Sequence, residues 1–246
     1  VYMFANDNLT DLIASNAIAE LGGATLDYVN EFIPESLVNS VTVDGGVYGI
    51  PFAANTWFMY YNKSMFTEDD VKNLDTMISK AKVSFPLTDS WYIEAFYTAN
   101  GATFFGDGTD ETAGIDLGGE NAVAVTRYLV DLVANSNFVN DADGAGIAGM
   151  ADGSVGALFS GSWSLKDVTD AIGEENVGAV QIPTITIDGV EKQMKGFTGS
   201  KAIGVNPFCD DMEVAIALTA YLGGEEGQQS HYDMRGIIPA NTVVAA

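Results

Sequence analysis

The run 57–61, Trp-Phe-Met-Tyr-Tyr, constrains the fold more than any other stretch because its apolar and aromatic residues are unbroken. A short run of this kind between turn formers predicts a strand that is buried on both faces. The segment 54–56 leads into it with polar side chains, which indicates a chain that crosses a boundary between two domains. An ordinary core strand is the alternative, and this stretch by itself leaves both interpretations open.

A length of 246 residues allows either one large domain or two small ones. Hydrophobic residues make up 47% of the chain, which is ample for a packed core. No apolar run approaches the roughly 20 residues that cross a bilayer. The single cysteine, Cys209, rules out an internal disulfide framework. Because Val1 opens in the middle of what reads as a buried strand, we expect a fragment of a longer chain.

The charge is strongly acidic, with 34 acidic residues against 10 basic ones and a net charge of −24. Nucleic acids and anionic membrane surfaces are therefore unsuitable partners, since both require clustered lysine and arginine. Charge of one sign also discourages self-association, so we expect a monomer.

Segments with helical and extended patterns alternate along the chain, which predicts an α/β fold with helices on both faces of the sheets. Gly22 and Gly23 are expected to end the first helix. The longer predicted helices are 12–21, 71–81, 93–100, 121–135, 165–172 and 214–222, and the predicted hairpins are 41–50 and 184–194.

Catalytic and metal-binding patterns are weak. With 34 acidic residues, carboxylate pairs arise by chance, so no glycosidase pair can be singled out. His231 is the single histidine and is expected at the surface or at a helix cap, which leaves neither a Ser-His triad nor a zinc site. The acidic turns 107–110 and 141–144 faintly resemble calcium loops but lack the later glutamate, so we expect solvated turns. We expect no cofactor and no metal.

Aromatic residues beside short polar ones follow several predicted strands, and ligands of open α/β sheets bind beyond the carboxyl ends of strands. Flat aromatic faces suit the apolar faces of sugar rings, and Asp and Asn can hydrogen-bond the hydroxyls. Burial in the core is the alternative for each tryptophan, and it stays open for Trp57. The candidate sugar-binding residues are Asn6, Asp7, Asn55, Trp57, Asp89, Trp91, Tyr92 and Trp163.

Four segments carry a resemblance to a known family: Gly49-Ile-Pro-Phe-Ala-Ala with Tyr61-Asn62-Lys63, then 151–163, 197–206 and 217–240. In this order they resemble extracellular solute-binding proteins of family 1, most of all the maltose- and maltodextrin-binding proteins of ABC importers. The likeness covers nearly the whole chain. Family members start earlier and end later, which adds to the expectation of a fragment truncated at both ends.

The resemblance implies a two-lobe, periplasmic-binding-protein-like fold of type II, in which each lobe is a mostly parallel sheet flanked by helices. The first lobe would comprise 1–53 plus 201–246, and the second 58–197. Hinges would lie at about 53–58 and 197–201. A discontinuous first lobe requires the chain to pass between the lobes twice. The polar segment that starts at Phe197 would be the return passage, and the segment 54–56 the first one.

The same resemblance implies a function. The protein would be no enzyme but an extracytoplasmic receptor that binds a malto-oligosaccharide or related oligosaccharide in an interlobe cleft. It would deliver the sugar to the membrane permease of an ABC importer, either from the periplasm or as a cell-surface lipoprotein of a Gram-positive-type bacterium. Asp7, Asp89, Trp91 and Trp163 match positions at which the family holds sugar.

Two positions depart from the family pattern. Asn8 stands where an arginine is common, and Asn55 where a glutamate is common, so both remove charged hydrogen bonds to the ligand. Two other functions remain open, a glycoside hydrolase and a surface module for glucan binding or adhesion.

Overall fold

The structure is a computed structural model and describes residues 1–106, 108 and 111–246. Most of the acidic turn 107–110 therefore lies outside the described residues. The strands are β1 (Tyr2–Ala5), β2 (Thr42–Val43), β3 (Gly46–Val47), β4 (Ile50–Asn55), β5 (Phe58–Asn62), β6 (Val83–Phe85), β7 (Thr103–Phe104), β8 (Ile115–Asp116), β9 (Phe138–Asn140), β10 (Ala157–Ser160), β11 (Val177–Val180), β12 (Thr184–Ile187), β13 (Val190–Gln193) and β14 (Gly199–Gly204).

Helices alternate with these strands. The α-helices are α1 (Leu9–Ala14), α2 (Gly23–Phe32), α3 (Glu35–Asn39), α4 (Leu74–Ile78), α5 (Ser90–Ala99), α6 (Gly119–Ala134), α7 (Ala145–Ala151), α8 (Leu165–Ile172), α9 (Met212–Gly223) and α10 (Glu225–Arg235). Short 3₁₀ turns occupy Asn6–Asn8, Asp70–Lys72, Glu111–Ala113, Ser162–Ser164 and Glu174–Asn176.

The chain divides into two compact units. Unit 1 comprises Val1–Thr56 and Thr198–Ala246, and unit 2 comprises Trp57–Phe197. Each unit has its own sheet and its own buried apolar clusters. Within the part of the chain that the structure describes, no helix is long and apolar enough to cross a membrane.

Unit 1 is built on a three-stranded sheet in the order β1-β14-β4, and both pairings are antiparallel. One buried cluster includes Phe4, Val29 and Ile50, and a second joins Phe52 and Ile203. The mostly parallel sheet expected for this lobe is therefore wrong. The physical reason is that β14 comes from far along the sequence and lies between β1 and β4 in the opposite direction, which no local pattern reveals.

Unit 2 contains a five-stranded sheet in the order β11-β5-β10-β6-β9. The pairings of β10 with β6 and of β6 with β9 are parallel, whereas β5 is antiparallel to both its neighbours. Four strands thus run in one direction and β5 alone runs against them, so this sheet is mixed but most of its strands are parallel, as expected. Crossover helices link β6, β9, β10 and β11, which explains their common direction.

The predicted buried strand at 57–61 is confirmed as β5, whose Met59, Tyr60 and Tyr61 are buried. The predicted helix 121–135 is confirmed as α6. The predicted hairpin 184–194 is confirmed as β12 and β13. It turns at Asp188 and Gly189, where φ is 50° and 77°, as a two-residue hairpin turn requires.

The predicted helix 12–21 is wrong beyond Ala14, where α1 ends. Asn16 has a φ of 54°, which no helix continues through, and the chain then extends. The Ala19 N–H donates to the Val205 carbonyl at 2.8 Å. The segment 17–21 therefore makes a backbone hydrogen bond to a residue distant in the sequence instead of continuing the hydrogen bonds of a helix. Consequently Gly22 and Gly23 do not end a helix but begin α2.

Two further expectations need correction. The predicted helix 71–81 is interrupted at Asn73, whose side chain accepts from the Thr76 N–H at 3.0 Å and caps α4. The strand β4 was not predicted, because it contains Pro51. A proline lacks the N–H of a ladder bond, but β4 lies at the edge of its sheet, where this loss is tolerated.

Candidate functional site

The candidate residues of unit 2 lie at one edge of its sheet. Because β6, β9 and β10 run in the same direction, their carboxyl ends meet at that edge. The amino end of β5 lies there too, since Phe58 pairs with Ser160 at the end of β10. The segments that leave these strand ends carry Trp57, Asp89 and Trp163, and the edge therefore brings the predicted residues of this unit together.

Asp89 places Trp91. Its Oδ1 accepts from the Trp91 N–H at 2.9 Å, which makes it the N-cap of α5 and fixes the first turn of the helix. Trp91 is half-buried, and its ring centroid lies 5.8 Å from that of Phe197. The Asp89 side chain is exposed, so it can meet a ligand while it caps the helix.

Tyr92 lies next to Trp91 and packs against two buried rings, with centroids 5.0 Å from Trp57 and 6.2 Å from Phe85. The pKa of its hydroxyl is raised to about 12, first by burial and then by the charge of Asp89, although a hydrogen bond with the Ser160 side chain lowers it in part. Tyr92 is therefore a neutral hydroxyl at physiological pH.

Trp57 is a core residue, which corrects its prediction as a sugar-binding residue. It is 3% exposed, and its ring packs edge-on against Phe85 and Phe159 at 5.9 Å each. Its Nε1 donates to the Trp91 carbonyl at 3.1 Å. With both faces covered, the indole offers no surface to a sugar and instead supports the backbone of Trp91.

Trp163 lies in the 3₁₀ turn that follows β10 and is half-buried. Its ring rests on Gly161, because a Cβ added to that glycine would meet the ring at 2.0 Å. Two hydrogen bonds fix this corner: the Tyr60 hydroxyl donates to the Gly161 carbonyl at 3.0 Å, and the hydroxyls of Ser160 and Ser164 lie 2.7 Å apart. The ring is thus held in place by its backbone surroundings.

The candidate residues of unit 1 gather at one edge of the three-stranded sheet. Asn6 follows β1, and its Oδ1 accepts from the Ser200 N–H at 2.8 Å. Asn55 ends β4 and pairs with Gly199 at the start of β14. Asp7 is exposed in the adjacent 3₁₀ turn. Amide and carboxylate groups therefore cluster at this edge, although Asn6 already uses its oxygen to hold β14.

Other sequence expectations have different outcomes. His231 is half-buried and packs edge-on against Phe52 at 5.1 Å, so it is neither a surface residue nor a cap. In the turn 141–144, Asp141 is half-buried and its Oδ2 accepts from the Gly146 N–H at 3.2 Å, so the turn is only partly solvated. Among residues 1–106, 108 and 111–246, no cluster of His, Cys, Asp and Glu side chains could hold a metal ion.

Sequence reasoning missed two residues beside the edge of unit 2. Glu94, on α5, is buried although its position in the sequence looks like that of an ordinary polar helical residue. Phe197 packs on Trp91, a contact between residues that are distant in the sequence. No local signal marks either residue, because the burial of Glu94 and the packing of Phe197 are features of the tertiary structure.

The family of bacterial extracellular solute-binding proteins matches residues 1–246, so the chain belongs to this family. The predicted family and its extracellular location are thereby confirmed. The α/β architecture is the type II periplasmic-binding fold of maltose- and maltodextrin-binding proteins, as the sequence predicted.

Individual relatives are similar over most of the chain. The galactooligosaccharide-binding protein of Bacillus subtilis (strain 168) is 26% identical over 235 residues, which are 86% of this chain and 53% of that protein. The maltooligosaccharide ABC transporter solute-binding lipoprotein of Streptococcus pneumoniae (strain ATCC BAA-255 / R6) is 26% identical over 226 residues, with coverages of 85% and 52%.

A protein solved with acarbose is 53% identical, with a TM-score of 0.96 over 100% of this chain and 64% of its own. The chain spans about half the length of the curated relatives it matches.

Proposed function

We propose that the chain is the ligand-binding part of an extracytoplasmic receptor that binds a malto-oligosaccharide or related oligosaccharide and delivers it to the membrane permease of an ABC importer. The observation that carries the proposal is the pair of half-buried tryptophans, Trp91 and Trp163, at one edge of the unit 2 sheet. Rings held rigidly with one part uncovered can stack on the apolar faces of sugar rings at little entropic cost.

Polar groups at both sheet edges supply the hydrogen bonds. In unit 2, Asp89 and Tyr92 accept from and donate to sugar hydroxyls. In unit 1, Asp7 and Asn55 do so, and Asn6 offers its amide while its oxygen holds β14. The passages 53–58 and 197–201, where the chain runs from one unit to the other, are proposed hinges.

The relatives support the class of ligand. One bears a malto-oligosaccharide name and another a galacto-oligosaccharide name. Maltodextrin- and maltotriose-binding proteins among the other relatives favour the first. We therefore place maltotriose ahead of a galactose-based trisaccharide, with the departures at Asn8 and Asn55 leaving a different set of contacts from the usual one.

Calorimetric titration with maltotriose, cellotriose and a galactose-based trisaccharide tests this proposal. We expect maltotriose to bind and the substitutions Trp91→Ala and Trp163→Ala each to weaken its binding about five- to thirtyfold, since a buried aromatic contact is worth on the order of 1–2 kcal/mol. Tyr221→Ala is the matched control, because Tyr221 is an aromatic residue of unit 1 that is 57% exposed on α9. Failure of the folded full-length protein to bind any of the three sugars would refute the proposal.

We further propose that the protein is no enzyme, that it acts as a monomer and that it is held at the cell surface as a lipoprotein. The first point is tested by incubating maltotriose with the protein and separating the products by chromatography. Recovery of unchanged maltotriose is expected, and the appearance of glucose or maltose would contradict it.

A further inference from the structure

The last residues of unit 2, the segment 195–197, lie along one face of α5. The Thr98 hydroxyl donates to the Lys195 carbonyl at 2.7 Å. The Phe197 ring packs against Trp91. It also packs at a right angle against Phe104 on β7, with the two ring centroids 5.1 Å apart. The contacts at Thr98 and Trp91 are two turns apart on the helix and clamp the segment at both of its ends.

Glu94 lies between these two contacts, three residues after Trp91 and four before Thr98, which puts it on the same face of α5. It is 3% exposed, and within the described part of the chain neither carboxyl oxygen makes a hydrogen bond of ordinary geometry. The backbone N–H groups of Glu94, Phe197 and Ala95 each lower the pKa of this carboxyl, but the effect of burial outweighs them. The segment 195–197 therefore lies beside a buried acid for which the described residues supply no cationic partner.

Such a carboxyl is stable there only without charge. Its pKa is raised to about 8, chiefly by burial and to a smaller extent by the charge of Asp89. Among the described residues, Tyr92 is also coupled to it, since the charge of Glu94 raises the pKa of that hydroxyl, which is higher still. No ion pair among the described residues includes Glu94. A buried carboxylate without a partner costs several kcal/mol, and exposing it to water removes this cost.

We propose that Glu94 is a proton-dependent positioning residue: the segment 195–197, and with it the ring of Trp91, keeps its place on α5 only while the Glu94 carboxyl is uncharged. The inference rests on the proposed function, because Trp91 is one of the residues assigned to the sugar. Alkaline pH then releases the segment, withdraws Phe197 from Trp91 and weakens sugar binding.

The first experiment measures hydrogen exchange of the amides in 195–197 on the full-length protein without sugar, at pH 6 and pH 9.5. The comparison is with Glu94→Gln, which has the same shape and no charge, so the intrinsic pH dependence of exchange cancels. Equal protection is expected at pH 6. Above the pKa, wild-type protection should fall relative to the variant by up to about tenfold for each pH unit.

Glu120→Gln is the matched control, because Glu120 is an exposed acid in the first turn of α6 in the same unit and should leave the comparison unchanged. If glutamine is not accommodated, Glu94→Met supplies an uncharged side chain of similar length. Equal protection of the wild type and the uncharged variant at pH 9.5 would overturn the inference.

The second experiment measures maltotriose affinity over the same pH range. Wild-type affinity should fall above pH 8, while Glu94→Gln keeps at pH 9.5 the affinity that it has at pH 6. An equal fall in both proteins would also overturn the inference. If exchange responds as expected but maltotriose binds at no pH, the proton-dependent segment is supported and the proposed function is rejected.

Discussion

Replacing Glu94 with glutamine should remove a loss of stability that the wild-type chain undergoes between about pH 4.5 and about pH 8. An unfolded glutamate ionises near the lower value, whereas the folded carboxyl keeps its proton until the upper one because burial disfavours its charge. Across this window the folded state binds more protons than the unfolded state, so the free energy of unfolding falls as pH rises. Below the window both states are protonated, and above it both are ionised.

The magnitude follows from the two pKa values. Each pH unit in the window costs about 1.4 kcal/mol, which sums to roughly 4–5 kcal/mol as an upper value. Local release of the segment 195–197 would lower this figure, since the carboxyl then ionises without global unfolding. We therefore expect Glu94→Gln to match the wild type at pH 4.5 and to exceed it by about 2–4 kcal/mol at pH 8.

Urea unfolding followed by circular dichroism, at half-unit steps from pH 4.5 to 9, measures the difference between the two proteins. Because all other groups titrate alike in both chains, their contributions cancel in the difference. Two unfolding curves whose separation stays constant across the range would refute the assignment of a neutral buried carboxyl to Glu94.

Three further predictions concern single positions. Gly161→Ala should displace the Trp163 ring and weaken maltotriose binding at least about tenfold, because a Cβ there meets the ring at 2.0 Å. Calorimetry checks this against Gly22→Ala, whose Cβ meets nothing within 4 Å, and equal affinities would contradict it. Asp89→Ala and Asp211→Ala each remove an N-cap and should cost about 1 kcal/mol in urea unfolding, yet only the first should weaken sugar binding. Asp70→Asn should destabilise the chain at pH 7 but not near pH 2. Hydrogen bonds from Lys80 and from the Thr67 backbone lower the pKa of Asp70 to about 2. The ionised Asp70 therefore stabilises the folded chain above its unfolded pKa of 3.8, and this stabilisation disappears as pH falls through the folded pKa. Thermal melts that differ equally at both pH values would argue against this.

Local sequence determined the type and place of several elements. The run 57–61 is apolar on every residue, and burial on both faces of a central strand is the environment that satisfies it. The helix α6 follows from a repeating apolar stripe, and the turn of β12–β13 follows from residues that accept positive φ. The sequence was also enough to indicate the family, because the segments that resemble family members occur in the same order along the chain.

Tertiary structure alone decided how these elements pair and which side chains share an edge. Ala5 pairs with Lys201, and Phe197 lies on Trp91, so neither contact leaves a mark within a window of local sequence. The direction of β14, the extended course of 17–21 and the burial of Trp57 depend on such distant contacts.

Glu94 makes the same distinction at the candidate site. In the sequence it is one acid among 34. Only its burial in the folded chain makes its protonation state matter for stability. Periodicity reports how much of a segment is buried, because burial repeats with the pitch of a helix or the pleat of a strand. It cannot report what covers a given side chain, and that is why the candidate residues came from the sequence while their grouping and their protonation came from the fold.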